Sequence, residues 1–149
     1  MGLKERLKSD LTEAIRARDE VRAGTIRMAL TSITNEEVAG KEARILTDAE
    51  IITVLSREAK KRREAAEAYD SAGSKERGDR ERAEGLVIAE YLPSQLSESE
   101  LQEMIKAAIV ETGASGPSGM GQVMKALSPK IAGRADGSKV SAAVKAALG

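Results

Sequence analysis

The 149-residue chain contains no histidine, no cysteine, no phenylalanine and no tryptophan. Each absence closes off some chemistry. Without histidine, the sequence lacks the usual general base near neutral pH and the commonest metal ligand. Without cysteine, it has no thiolate nucleophile, no zinc–thiolate site and no disulfide, which suits a reducing, cytoplasmic setting. The only aromatics are Tyr69 and Tyr91, so the core must rest on Leu, Ile, Val, Met and Ala. No run approaches the ~20 apolar residues a membrane span needs. The opening MGLKERLKSDL carries charges every few residues where a signal peptide requires an apolar stretch. These features predict a soluble chain with no membrane partner.

The chain is 41% apolar and balances 24 cations against 24 anions. Its length fits one domain or two small ones. Small aliphatic side chains at high Ala content favour close-packed helices, and no segment alternates like a half-buried strand. The fold class read from the sequence is all-α.

Leu3, Leu7, Leu11, Ala14 and Ile15 recur at helical spacing and predict a first helix ending near Arg18. A second, from about Asp19, places Val21, Thr25, Met28 and Ser32 on one face with Ile26, Leu30 and Ile33 nearby, and ends at Gly40 as a C-terminal cap. Thr47 and Glu50 form a capping box that opens a long third helix, which stops at Gly73. A fourth covers Ser74 to Leu92 and is closed by Pro93. Ser97 and Glu100 make a second capping box for a helix through about Glu111. The glycines and proline of Gly113–Gly121 read as a connector. A short helix over Gln122–Leu127 and a final one from about Ser138 follow. The expected organisation is a multihelical N-terminal domain over residues 1–93 and a small three-helix C-terminal module over residues 94–149.

Catalysis by this chain alone is disfavoured. Its serines have no histidine beside them, and its carboxylates sit mostly at capping or helical ion-pair spacings. No metal site or cofactor is expected. Gly116 and Gly121 have the separation of a phosphate loop, but Gln122 and Val123 stand where a lysine and a hydroxyl are required. The run Lys60–Arg63 is interleaved with Glu58, Glu64 and Glu67 at i,i+4 spacing, and reads as a solvated, ion-paired face. So does Glu76–Glu84.

The C-terminal cations stand apart. From Thr112 onward there are five, Lys125, Lys130, Arg134, Lys139 and Lys145, against the single anion Asp136. Such a local field attracts polyanions. Gly133 and Gly137 would bend the chain around a projecting Arg134, whose planar fork suits phosphate, with Asp136 capping the last helix. Read from the residues alone, these cations fit either a phosphate-binding surface or ordinary solubilising charge. No aromatics are interleaved to stack on bases, so binding would read the backbone shape of a folded RNA.

At these residues the chain resembles a known family. Gly121–Ala126, Gly133–Gly137 and the closing helix around Val140 are similar to the tail domain of GatB, a component of the glutamine-dependent aspartyl/glutamyl-tRNA amidotransferase. Ile26–Leu30, Glu58–Glu64 and Tyr91–Ser97 resemble the stand-alone YqeY relatives still more. The resemblance implies a helical body followed by a three-helix module that holds tRNA or a tRNA-handling complex. Contacts with tRNA carry over onto Lys125, Arg134 and Lys139. A carbon–nitrogen ligase activity with glutamine as amido donor would come only by association, as an accessory component. A helical protein-interaction adaptor without RNA is the remaining alternative.

Overall fold

Helices make up the regular structure of the computed structural model, which describes residues 2–149, and no strand occurs among the described residues. The all-α class read from composition is the one observed. The helices are α1 (Leu3–Arg16), α2 (Glu20–Glu37), α3 (Asp48–Ser71), α4 (Lys75–Ala89), α5 (Glu98–Thr112), α6 (Met120–Ile131) and α7 (Gly137–Leu148). They fall into two compact units, the first ending at Leu92 and the second spanning Pro93–Gly149.

In the first unit α3 and α4 form a long antiparallel hairpin, with α1 and α2 packed on it. Its core gathers Leu7, Ile26, Ile33, Ile51, Leu55 and Ile88 from all four helices. The capping box that opens α3 forms as expected: Glu50 N–H donates to Thr47 Oγ1 at 3.2 Å, and Thr47 N–H donates to Glu50 Oε2 at 2.9 Å. Gly73 ends the hairpin's first arm at φ +77°, a conformation glycine adopts without penalty.

The structure corrects the reading of α2. Val21 and Met28 point outward, at 42% and 52% exposure, while Ala23, Ile26, Ala29 and Ile33 form the buried stripe. Small Ala23 and Ala29 let the neighbouring helices approach, and Thr25 buries its hydroxyl by donating to Val21 O at 2.7 Å. Nor does Gly40 cap the helix; Val38 does, and Gly40 is not in the positive-φ region. The buried Glu37 carboxylate fastens the following loop instead. It accepts Lys4 Nζ at 2.5 Å and Leu46 N–H at 3.1 Å.

A second correction concerns the charged run of α3. Glu58 and Arg62 do pair as i,i+4 partners, with Nη1 to Oε2 at 3.1 Å, but they are 9% and 5% exposed. The reason is periodicity: they continue the stripe Ile51, Leu55, Ala59, Ala66, which faces α2 and α4. Glu84, expected on a solvated stretch, also turns inward and lies 3.4 Å from Arg62 Nε.

The second unit packs α5, α6 and α7 around Leu101, Ile105, Val123, Leu127, Val140 and Val144. Ser97 caps α5 by accepting Glu100 N–H at 3.2 Å, and Gly113 ends the helix at φ +67°. The expected connector holds a 3-10 turn at Pro117–Gly119. Helix α6 is longer than Gln122–Leu127 and carries Pro129 inside its last turn. There a proline costs one backbone donor, and burial of Leu127 and Ile131 holds the turn together. Asp136 caps α7 as expected, accepting Ser138 N–H at 3.0 Å.

Candidate nucleic-acid interface

The charge of the second unit is segregated by helix. On α5, Glu98, Glu100, Glu103 and Glu111 face only Lys106, whereas α6, α7 and the turn between them hold five cations and Asp136. One side of a small three-helix fold is therefore acidic in composition and the other basic.

Three of the five cations stand free. Lys125 lies mid-α6, exposed and away from the Val123–Leu127 stripe; Lys139 lies in the first turn of α7 and Lys145 in its last, both exposed. Among the described residues none of the three has a hydrogen-bond or ion-pair partner. Lys139 and Lys145 sit six positions apart, which turns them about 120° from one another around the helix. They flank the buried Val140 and Val144 instead of forming one row. Lys139 also lies where the dipole of α7 is positive, which adds to its attraction for an anion.

The other two cations are engaged. Lys130 Nζ lies 3.4 Å from Glu111 Oε2, a pair exposed on both sides. Arg134, expected to project, is half-buried and acts as a clasp. Its Nε donates to Ser94 O at 3.0 Å, and its carbonyl accepts Leu96 N–H at 2.9 Å. Gln95 Nε2 donates to Gly133 O at 2.8 Å in the same clasp, and Gly133 has φ +73°. Gly137, expected to bend the turn, is instead the first residue of α7. The Arg134 guanidinium borders an open groove of about 340 Å³ with Leu96, Glu100, Glu103, Met104 and Ala107.

Sequence reasoning misses a polar cluster in the first unit. Glu58 accepts Ser32 Oγ at 3.1 Å and Lys61 Nζ at 3.4 Å besides Arg62. Burial pushes the Glu58 carboxyl upward, but the bonds from Ser32, Arg62 and Lys61 together outweigh it and hold the group below the ordinary carboxylate value. The signal for this cluster is the apolar stripe of α3, extended through positions 58 and 62. Among the described residues no group of histidine, cysteine or carboxylate side chains is arranged to hold a metal, and no helix is long and apolar enough to cross a membrane.

Comparison with known proteins adds the family. Residues 4–148 match the family described as Yqey-like protein. The chain belongs to the YqeY family. A relative from Pyrenophora tritici-repentis (strain Pt-1C-BFP), named altered inheritance of mitochondria protein 41, mitochondrial, is 28% identical over 148 residues. The match covers 97% of the YqeY-family chain and 80% of the relative. The relative's name assigns it to mitochondria. Within the YqeY-family fold, the segments Ile26–Leu30 and Glu58–Glu64 meet in space, where Arg62 Nη2 lies 3.5 Å from Met28 Sδ.

Proposed function

We propose that this YqeY-family chain binds the phosphate backbone of folded RNA, tRNA foremost, through its second unit and without catalysis of its own. The observation that carries the reading is the set of three exposed lysines, Lys125, Lys139 and Lys145, with no partner among the described residues. Lys130 joins them by leaving Glu111, since an exposed ion pair contributes about 0–1 kcal/mol. Arg134 offers its terminal nitrogens while Nε stays on Ser94 O. The second unit has no aromatic residue, so recognition rests on shape and phosphate spacing instead of base stacking. The family resemblance supplies the tRNA class, and the cysteine-free composition favours a cytoplasmic setting.

A second reading is a protein-interaction module. It is favoured by the open groove, whose apolar Leu96, Met104 and Ala107 are bordered by Glu100 and Glu103, with Arg134 also on its border but tied to Ser94 O. That geometry suits a basic amphipathic partner helix. An accessory role in glutamine-dependent tRNA amidation would build on either surface.

The deciding experiment is an anisotropy titration of labelled bulk tRNA at about 50 and 200 mM salt, with random duplex RNA as competitor. The RNA reading expects saturable binding that falls steeply with salt and weakens in the triple variant K125A/K139A/K145A. Absence of binding at low salt sinks it and leaves the groove as the functional surface.

A further inference from the structure

Arg62 is buried and short of acceptors. A guanidinium carries five N–H donors, and this one has a side chain only 6% exposed. Its Nη1 is satisfied by Glu58 Oε2 at 3.1 Å and Glu58 O at 3.4 Å. Its Nε has no hydrogen-bond partner, since Glu84 Oε2 at 3.4 Å supplies charge without the bond. Its Nη2 meets the Met28 sulfur at 3.5 Å, and a thioether is a weak acceptor. A buried donor left so poorly served costs stability.

Met28 differs from the other described methionines. It is 52% exposed, whereas Met104, Met120 and Met124 are half-buried against the second core. Its side chain is therefore open to small oxidants in solution, while an under-used guanidinium lies against its sulfur on the inner side.

We propose that Met28 is a site of reversible oxidation by hydrogen peroxide, its sulfoxide oxygen accepting a hydrogen bond from Arg62. A sulfur lone pair attacks one peroxide oxygen and the O–O bond breaks. The departing hydroxide takes the proton left on the transferred oxygen and leaves as water. Sulfur loses two electrons and the peroxide gains them. A dithiol reductase of the methionine sulfoxide class reverses the step: the oxygen leaves as water and the dithiol becomes a disulfide. Sulfoxidation normally disrupts packing, because it makes an apolar side chain polar. Here the oxygen arrives on the solvent side of the sulfur, and rotation about the flexible Met28 side-chain torsions turns it inward. There it gives Nη2 the strong acceptor it lacks and adds a tie between α2 and α3, beside the existing Ser32–Glu58 bond.

The test uses the full chain. Limited peroxide treatment followed by tryptic mapping separates Met28 (peptide 28–41) from Met104 (83–106) and from Met120 with Met124 (107–125). Met28 should gain oxygen first, and the singly oxidised protein should melt no lower than the untreated one. Met28→Gln, which carries an amide oxygen at comparable reach, should melt roughly 4 °C above Met28→Leu. Oxidation of Met28 no faster than the others, a lowered melting temperature for the Met28 sulfoxide, or a Gln variant below the Leu variant would each overturn the proposal. If the Gln variant does not fold, the oxidised wild-type chain still decides it.

Discussion

The Tyr91 hydroxyl donates to Asp10 Oδ2 at 2.5 Å, joining residues 81 positions apart. The ring is 4% exposed, and the Arg6 guanidinium lies 4.7 Å above its centre. The segment that leaves α4 is thereby pinned to α1 by packing, a hydrogen bond and a cation over the ring face.

Removing the hydroxyl tests the pin. Tyr91→Phe should lose about 1–2 kcal/mol in urea unfolding, because Asp10 loses a donor while the ring keeps its packing. Burial first, and then the bond to Asp10, raise the Tyr91 phenol above its ordinary value. The folded value thus exceeds the unfolded one of about 10, so the contribution is complete below pH ~10 and lost as pH rises through the folded value. The alkaline loss of stability should be shallower in Tyr91→Phe than in wild type.

Arg18 follows α1 with φ +57°, in the left-handed region. The turn is held by main-chain bonds, Arg18 N–H to Ile15 O at 3.1 Å and Asp19 N–H to Ala14 O at 3.0 Å. A glycine there keeps both bonds and relieves the strain. Arg18→Gly should raise stability by about 1 kcal/mol, read as a higher thermal midpoint.

Gly78 is buried near the tip of the α3–α4 hairpin, where a Cβ would run into the Asp70 carboxylate and lie 3.2 Å from Ala66 O. Asp70 is not free to retreat, because Arg82 holds both its oxygens at 2.8 and 3.2 Å. Gly78→Ala should therefore destabilise the chain by roughly 1–3 kcal/mol, despite alanine's better helix propensity. Urea unfolding measures the sign directly, and Gly85→Ala, which meets nothing within 4 Å, serves as the control.

Arg134 and the free lysines should separate fold from binding. Arg134→Ala loses the bond to Ser94 O and should cost the chain about 1 kcal/mol, with a modest loss of RNA affinity. The triple lysine variant should leave the melting temperature within about 1 °C and reduce the slope of log affinity against log salt by roughly two to three. Equal salt slopes for wild type and triple variant would refute the assignment of these lysines to phosphate.

What is legible in the sequence is local. The Thr47–Glu50 box, the stop at Gly73 and the Asp136 cap each depend on residues a few positions apart. What escapes it depends on distant partners. The i,i+4 spacing of Glu58 and Arg62 is the same on a wet face as on a buried one, and only the stripe they share with Leu55 and Ala66 tells the two apart. The Arg134 clasp needs Ser94, 40 residues away, and no local pattern announces it. Helical spacing groups Val21 and Met28 with Thr25, yet the first two are exposed and Thr25 is buried beside Ala23, Ile26 and Ala29, a division that depends on what the neighbouring helices cover.

The scarcity of aromatics has a practical consequence. Both tyrosines lie in the first unit, and Pro93–Gly149 contains no ultraviolet chromophore beyond its peptide bonds. Tyrosine emission and near-ultraviolet dichroism are thus selective reporters of the first unit, while peptide dichroism reports both. Comparing the two signals during a single melt shows whether the units unfold as one. A shift in tyrosine emission when RNA is added would reveal communication from the lysine-bearing helices to the first unit, with no label introduced.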